Sequence, residues 1–220
     1  MRALSRCGIQ VWWSPADTAP DDAARWLVAD EQARAGRFHF DGDRHAYIAA
    51  HAMLRLLLER HGSAHARAPL QAGVHGKPWL PGGIEFNLSH TRGMVACALS
   101  LSPVGVDVES ASRAGDWRSL VPQVLSDHER AVLHALPPQR QQAQFYAAWT
   151  GKEAWAKATG LGLHADFRAL DVLRPPTGLF LAAVDTAPGF QAAVCSTVGV
   201  SQVQVSEFVW TDTGWGRLEA

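Results

Sequence analysis

The chain has 220 residues, and its 20 lysines and arginines nearly balance 21 aspartates and glutamates, so the formal net charge is −1. This balance excludes a nucleic-acid binder that works through a large overall positive charge. With 47% hydrophobic and 19% charged residues, the composition is that of a globular protein with enough length for a core. No apolar run has the length of a membrane span and the N-terminus does not resemble a signal peptide, which predicts a soluble, cytoplasmic protein.

The chain contains three cysteines, Cys7, Cys97 and Cys195, which are far apart and lack the spacing of metal ligands. An odd number of scattered cysteines predicts no disulfide framework, in keeping with a reducing compartment. Because Cys97 and Cys195 lie in apolar runs, we expect both to be small core residues.

The N-terminal part predicts a strand followed by two helices. Residues 9–13 are typical of a short strand, and residues 21–35 have helical composition. The next helix is the clearest in the chain, since its apolar side chains between residues 47 and 58 form one stripe. His61-Gly62 is a common helix stop.

A basic loop crossed by aromatic side chains separates these two helices at residues 34–45. Arg44 lies one turn before Tyr47, at the edge of the buried helix face and close to the helix N-terminus, where an anion is favoured. A solvated surface arginine would show the same pattern, so both interpretations stay open on local grounds.

The middle of the chain predicts a turn and two strands joined by a polar loop. Lys77 lies in a turn at residues 76–80, where glycine permits tight geometry and proline fixes φ. Residues 84–88 alternate as a half-buried strand does, residues 89–93 form a donor-rich loop, and residues 94–101 are apolar throughout, as in a fully buried strand.

The segment 104–109 is a short apolar strand that carries Asp107 and Glu109 on one face. Two neighbouring carboxylates repel each other, and a divalent cation is the simplest group that would offset this repulsion. The alternative is a strand end whose carboxylates reach water.

The C-terminal half begins with two helices. Ser126 and Glu129 have capping-box spacing and predict a helix over residues 127–136. A second helix covers residues 139–159 and ends at the glycines that follow. Four strands are predicted in the tail, at residues 169–173, 178–184, 190–196 and 203–210.

The second of these helices places Glu153 and Lys157 one turn apart beside Trp149. An ordinary surface ion pair is one interpretation. However, lysine occurs only at Lys77, Lys152 and Lys157 in this arginine-rich chain, which suggests positions where a compact ammonium is required. Lys152 lies 100° around the helix from Glu153, so we expect it to have a separate phosphate or structural role.

Helix followed by strands occurs once before Pro103 and once after it. This order predicts an α+β protein of two subdomains, residues 1–103 and 104–220. The carboxylate pair, the Glu153–Lys157 helix face and the upstream donors together describe a pyrophosphate site. Hard oxygen ligands for Mg²⁺ are expected from Asp107, Glu109 and Glu153, and phosphate contacts are expected from Arg44, Lys77, Ser89 and His90.

The same residues carry a family resemblance. The ordered motifs are Gly76-Lys77-Pro78, Phe86-Asn87-Leu88-Ser89-His90, Gly105-Val106-Asp107-Val108-Glu109 and Trp149-Thr150-x-Lys152-Glu153-Ala154-x-x-Lys157. At this spacing the chain resembles the Sfp-type 4'-phosphopantetheinyl transferases over about residues 30–165. Glu-Ala after Lys152, in place of Glu-Ser, is a variant of the family motif.

The resemblance implies a monomeric pseudodimer of two similar α+β subdomains, with coenzyme A in the cleft between them. It implies Mg²⁺-dependent (or Mn²⁺-dependent) transfer of the phosphopantetheine arm to a serine of an apo acyl or peptidyl carrier protein, releasing adenosine 3',5'-bisphosphate. By position, the metal ligands are Asp107, Glu109 and Glu153, and the coenzyme A contacts are Arg37, Arg44, Lys77, Ser89, His90 and Lys157. Catalysis is assigned to Glu153, Lys157 and Asp107, with Glu153 as a proton acceptor and Lys157 as a phosphate contact or proton donor.

Two other functions fit parts of the pattern. A metal-dependent pyrophosphate hydrolase acting on coenzyme A needs the same groups, and a catalytically idle coenzyme A-binding protein needs only the basic ones. For the carrier protein, a docking surface is predicted at Trp117, Arg118, Leu120 and Val121, with core packing as the alternative for Trp117.

Overall fold

The structure is a computed structural model that describes residues 4–5, 7–111, 116–211 and 214–217. The strands are β1 (Gly8–Pro15), β2 (Gln71–Ala72), β3 (Pro78–Trp79), β4 (Glu85–Thr91), β5 (Met94–Ser100), β6 (Val104–Ser110), β7 (Phe180–Ala183), β8 (Phe190–Ser196), β9 (Gln202–Thr211) and β10 (Gly214–Arg217). The α-helices are α1 (Ala29–Ala35), α2 (Asp41–Arg60), α3 (Trp117–Val124), α4 (Asp127–Ala135) and α5 (Pro138–Thr159). Short 3-10 helices cover Ala16–Thr18, Ala23–Trp26, Gly162–His164 and Phe167–Ala169.

The strands form two main sheets and a small hairpin. The first sheet has the order β10-β9-β1-β5-β4 and the second has the order β6-β8-β7, while β2 and β3 pair only with each other. All pairings are antiparallel except that of β1 with β9. The long helix α2 packs against β4 and β5, and α5 packs against β6 and β8. The predicted α+β class is confirmed.

The C-terminal tail crosses the predicted subdomain boundary. β9 lies beside β1 in the first sheet, with Ile9 opposite Val203 and Val11 opposite Val205. Among the described residues, the second sheet therefore consists of β6, β7 and β8. The division at residues 103/104 stays a prediction for the chain, although the sheets themselves are not divided there.

The core follows the hydrophobic pattern of the sequence. Every residue of β5 is buried, as the continuous apolar run predicts, and Leu54 and Leu57 of α2 are fully buried. Cys97 and Cys195 are also buried, which confirms both as core residues. Within the described part of the chain, the helices are too short or too polar to cross a bilayer.

Two close contacts decide where the functional residues lie. A Cβ atom added to Gly105 of β6 would stand 2.0 Å from the Ala154 carbonyl oxygen and 2.4 Å from the Ala158 nitrogen. Only glycine lets α5 approach β6 this closely, and this approach brings the Glu153–Lys157 face of α5 to the strand that carries Asp107.

The second contact is the seam between β4 and β6, which are edge strands of different sheets. Side chains of β4 join them in place of a backbone ladder. The Val106 N–H donates to Asn87 Oδ1 at 2.9 Å, and the Val108 N–H donates to Ser89 Oγ at 3.2 Å. Residues of both strands line a cleft along this seam.

The predicted loop at residues 34–45 is shorter than expected, because α1 extends to Ala35 and α2 begins at Asp41. Three further predicted elements were wrong. Residues 21–35 are not one helix, because the chain is extended at Leu27 and Val28, and the Val28 N–H is capped by Glu31 Oε2 at 3.1 Å. Residues 89–91 belong to β4, since they pair with β5, so the polar loop shrinks to a turn at Arg92-Gly93 in which Gly93 has φ of 92°.

The third wrong prediction is the strand at residues 169–173. This segment leaves a 3-10 helix and bonds to side chains instead of another strand. The Val172 N–H donates to Glu129 Oε1 at 2.7 Å, and the carbonyls of Phe167 and Leu170 accept hydrogen bonds from the Lys152 ammonium.

Candidate active site

The main cleft lies where α2, β4, β6, α5 and the β2–β3 hairpin meet, and it has a volume of about 710 Å³. It is lined by most of the residues that the sequence singles out: Lys77, Ser89, His90, Asp107, Glu109, Glu153 and Lys157. The fold thus brings together groups that are up to 80 residues apart in the chain. A second cavity of about 1150 Å³ shares His90 and Glu109 with the main cleft.

One wall of the main cleft is formed by Asp107, Glu109, Glu153 and Lys157. Asp107 and Lys157 form the centre of this catalytic wall. Lys157 Nζ donates to Asp107 Oδ1 at 2.7 Å, to Ser89 Oγ at 2.9 Å and to the Val106 carbonyl at 3.1 Å. Ser89 Oγ donates in turn to Asp107 Oδ1 at 2.8 Å. The ammonium therefore has three acceptors, and the hydroxyl of Ser89 links the carboxylate, the lysine and the β6 backbone.

Glu153 faces the same carboxylates. Partial burial raises its pKa above the usual value, the negative charges of Asp107 and Glu109 raise it further, and the Lys157 ammonium opposes this increase. A carboxylate with a raised pKa is a better proton acceptor near neutral pH than an ordinary glutamate. This environment suits a general base.

Glu109 lies at the end of the wall, where Thr91 Oγ1 donates to its Oε2 at 3.3 Å. Thr91 follows Asn87 and Ser89 at two-residue spacing on β4. One face of β4 thus supplies the side chains that hold β6 and both of its carboxylates.

The carboxylate oxygens of this wall are suited to bind a divalent cation. Asp107 Oδ2 is buried and has no hydrogen-bond partner, which is costly unless a cation or donor completes it. Within the described residues, no three histidine, cysteine, aspartate or glutamate side chains are already arranged to hold a metal together. In the free protein, the Lys157 ammonium donates to Asp107 Oδ1 instead.

Lys77 reaches the cleft from the turn before β3. Its Nζ donates to the Val104 carbonyl at 3.1 Å and to the Ala158 carbonyl at 3.2 Å. Removal from water lowers the pKa of Lys77 below its usual value. In this arrangement Lys77 ties the hairpin to β6 and to the C-terminal end of α5.

His90 lies on the rim that the two cavities share. Its side chain is exposed yet crowded by protein atoms, and this partial loss of water lowers its pKa, with the Lys157 charge as a smaller cause.

Arg37 and Arg44 do not lie with the other predicted coenzyme A contacts. Arg37 is exposed, and Arg44 forms an ion pair with Asp41 at 3.2 Å on the first turn of α2. Neither lines the main cleft, whereas Arg34 does, with its guanidinium 5.7 Å from the centre of the Tyr47 ring. A phosphate contact for Arg37 or Arg44 stays a prediction.

Sequence reasoning missed a buried network at the other end of the main cleft. Arg55 is fully buried and donates from Nη2 to Glu31 Oε1 at 2.8 Å, and His51 Nδ1 lies 2.8 Å from the same oxygen. Burial would raise the pKa of Glu31, but hydrogen bonds from His51 and Arg55 outweigh it and hold the pKa at about 2. A signal was present, since an arginine within the apolar stripe of α2, one turn after a histidine, predicts a buried partner.

Lys152 lies outside the cleft, on the other side of α5. It is fully buried and forms an ion pair with Glu129 Oε2 at 2.8 Å. Of the two roles that the sequence allowed for Lys152, phosphate contact or structural contact, this geometry supports the structural one.

The residues predicted to dock the carrier lie on α3, and two of them are buried. Trp117 and Val121 are 5% and 7% exposed, which confirms core packing for Trp117. Arg118 covers the Trp117 ring at 4.4 Å, and Leu120 is 38% exposed. Docking at α3 stays a prediction.

Comparison with known proteins gives matches over most of the chain. The sequence profile of the 4'-phosphopantetheinyl transferase superfamily matches residues 103–206. The 4'-phosphopantetheinyl transferase HetI of Nostoc sp. strain PCC 7120 is 31% identical over 219 residues, covering 94% of this chain and 91% of the relative. The 4'-phosphopantetheinyl transferase Sfp of Bacillus subtilis strain 168 is 24% identical over 188 residues, covering 78% and 82%.

A solved structure also matches in part. The holo-[acyl-carrier-protein] synthase of Thermotoga maritima has 18% sequence identity and a TM-score of 0.35, and the match covers 42% of this chain and 61% of that one.

Proposed function

Since this chain belongs to the 4'-phosphopantetheinyl transferase family, we propose that it transfers the phosphopantetheine arm of coenzyme A to a serine of an apo acyl or peptidyl carrier protein, in a reaction that requires Mg²⁺. The second product is adenosine 3',5'-bisphosphate. The observation that supports this proposal most is the wall of Asp107, Glu109, Glu153 and Lys157 on one side of the main cleft. Carboxylates with an ammonium beside them suit a metal-bound pyrophosphate.

Asp107, Glu109 and Glu153 would hold the metal, and the buried, unpartnered Asp107 Oδ2 is the first oxygen available to it. When bound, Mg²⁺ would neutralise charge on the pyrophosphate and on the leaving phosphate. Mn²⁺ has similar ligand preferences and is expected to substitute.

The protein's own groups perform the remaining steps. The serine oxygen forms a bond to the phosphorus of the arm while the bond from phosphorus to the bridging oxygen of the bisphosphate breaks. The serine proton passes to the Glu153 carboxylate, which faces the same cleft. The ammonium of Lys157 neutralises the departing phosphate, and Lys77 supplies a second positive charge in the same cleft.

Intact-mass spectrometry of purified apo carrier proteins tests this function. After incubation with the protein, coenzyme A and Mg²⁺, we expect the mass of one phosphopantetheine to appear on an acyl or peptidyl carrier protein. Removing divalent metal with EDTA should abolish the gain, and added Mg²⁺ or Mn²⁺ should restore it.

The products separate this proposal from hydrolysis, which the same residues could support. Free phosphopantetheine with unmodified carrier would identify a pyrophosphate hydrolase. Transfer that is unaffected by EDTA would contradict the proposed metal dependence.

A further inference from the structure

The second cavity lies beyond Glu109, at the end of the β4–β6 seam. The start of α2 forms one side, with Phe40 and His45, and the β4–β5 turn forms another, with Arg92. Because it shares His90 and Glu109 with the main cleft, the two cavities meet at Glu109, one end of the proposed catalytic wall.

The positively charged side chains that could bind the phosphates of a nucleotide lie in the main cleft. Arg34, Lys77 and Lys157 line it, and none of them lines the second cavity. In phosphoryl transfer the attacking and leaving oxygens lie roughly in line on opposite sides of the phosphorus. If the bisphosphate leaves into the main cleft, the acceptor must approach the phosphorus from the opposite direction, and the second cavity is the other opening beside Glu109.

The lining of the second cavity suits a protein loop better than a small polyanion. Phe40 is 73% exposed at its edge, and Asp17 and Asp43 line it together with Arg92 and His45. An exposed aromatic side chain surrounded by charges of both signs is typical of a protein-binding surface. The volume of about 1150 Å³ also exceeds the usual range for small-molecule sites of roughly 300–1,000 Å³.

We propose that the second cavity receives the serine-bearing loop of the carrier protein, with Phe40 as the apolar anchor and Arg92 as a charged contact. This inference rests on the proposed function. It places the docking surface at the start of α2 and the β4–β5 turn, away from α3.

Steady-state kinetics with purified apo acyl carrier protein and an apo peptidyl carrier domain test it. Phe40→Ser and Arg92→Glu should each raise the KM for the carrier that the wild type modifies by about tenfold, the effect of losing an interface anchor. The KM for coenzyme A and the binding of adenosine 3',5'-bisphosphate in calorimetry should stay within about twofold of wild type, because neither residue lines the main cleft. Phe40 is the N-cap of α2, where serine is favoured, so the fold should survive the change.

Leu101→Ser is the matched control. Leu101 is an exposed apolar residue of 38% exposure at the far end of β5 from the β4–β5 turn, and its replacement should leave the carrier KM unchanged.

Three outcomes would overturn the inference. The first is an unchanged carrier KM in both variants. If Leu120→Ser raised the carrier KM instead, the carrier would dock at α3. A raised KM for coenzyme A with normal carrier KM would place the phosphopantetheine arm in the second cavity instead. A wild-type protein that modifies neither carrier would overturn the proposed function and this inference with it, whereas the first two results leave the function intact.

Discussion

The Lys157 ammonium and a divalent cation would compete for the negative charge of Asp107. It is 2.7 Å from Asp107 Oδ1, so in the free protein it acts as the counter-ion of the carboxylate wall. A pyrophosphate would offer the ammonium a new anionic partner and release the carboxylate for the metal. Metal binding and coenzyme A binding should therefore support each other.

Lys157→Met tests this competition without any turnover. It removes the positive charge while retaining an aliphatic chain, so the affinity of the free protein for Mn²⁺ should rise by about tenfold, in line with the loss of one charge-assisted hydrogen bond. Titration calorimetry without coenzyme A measures this affinity.

Lys77→Met is the control for that experiment, since Lys77 Nζ bonds to two backbone carbonyls and, among the residues that the structure describes, to no carboxylate. Its Mn²⁺ affinity should equal that of the wild type. An unchanged or weaker affinity in Lys157→Met would refute the counter-ion role.

Glu153→Gln should abolish transfer and yet stabilise the protein at neutral pH. Burial and the neighbouring carboxylates raise the folded-state pKa of Glu153 above its usual value, so the folded protein binds this proton more tightly than the unfolded chain does. The glutamate thus contributes its stability at low pH and loses it as the pH rises through the folded pKa. A glutamine at this position stays neutral, so the variant does not lose this stability as the pH rises.

Thermal unfolding of metal-free protein measures the effect. The melting temperature of Glu153→Gln should exceed that of the wild type at pH 7, and the difference should shrink as the pH falls towards the usual glutamate pKa. A variant that is less stable than wild type at pH 7 would show that the charge of Glu153 is well compensated in the fold.

At the level of elements, the catalytic geometry depends on how closely α5 packs on β6. Gly105 permits this contact, because a side chain there would overlap the backbone of α5 at Ala154 and Ala158. The seam side chains of β4 then fix β6 from the other side. The carboxylates of one element and the Glu153–Lys157 face of the other are therefore held by backbone packing as well as by their own ion pair.

Gly105→Ala should push α5 away from β6 and reduce transfer by roughly 100-fold, the loss expected from a misplacement of about 1 Å. Overpacking should also lower the free energy of unfolding by about 1–3 kcal/mol. Carrier loading and urea unfolding measure the two effects.

Gly199→Ala is the control for this substitution. A Cβ atom there meets nothing within 4 Å, so both activity and stability should match wild type. Full activity in Gly105→Ala would mean that the close helix–strand contact does not set the site.

Across the whole molecule, the sequence predicts those helices and strands whose apolar residues follow a regular local pattern. The apolar run of β5 and the stripe of α2 predict buried elements directly. The ordered motifs also predict that Asp107, Glu153 and Lys157 meet, because a family resemblance carries three-dimensional information that spacing alone lacks.

The remaining features depend on contacts between distant parts of the chain. The pairing of β1 with β9 joins residues nearly 200 positions apart, and no local pattern encodes it. Ser89 and Thr91 have the polarity of a loop but lie in a strand, because their side chains serve the β6 carboxylates. The Glu31–Arg55 ion pair could not be predicted, because the sequence does not show that α1 and α2 bring these two side chains together.

The most direct test of the catalytic wall is Asp107→Asn, which preserves the shape of the side chain and removes its charge. We predict that intact-mass spectrometry will show one phosphopantetheine added to an apo carrier protein by the wild type and none by the variant. Circular dichroism should report an unchanged fold for both proteins. Near-normal loading of the carrier by Asp107→Asn would contradict the assignment of this wall as the active site.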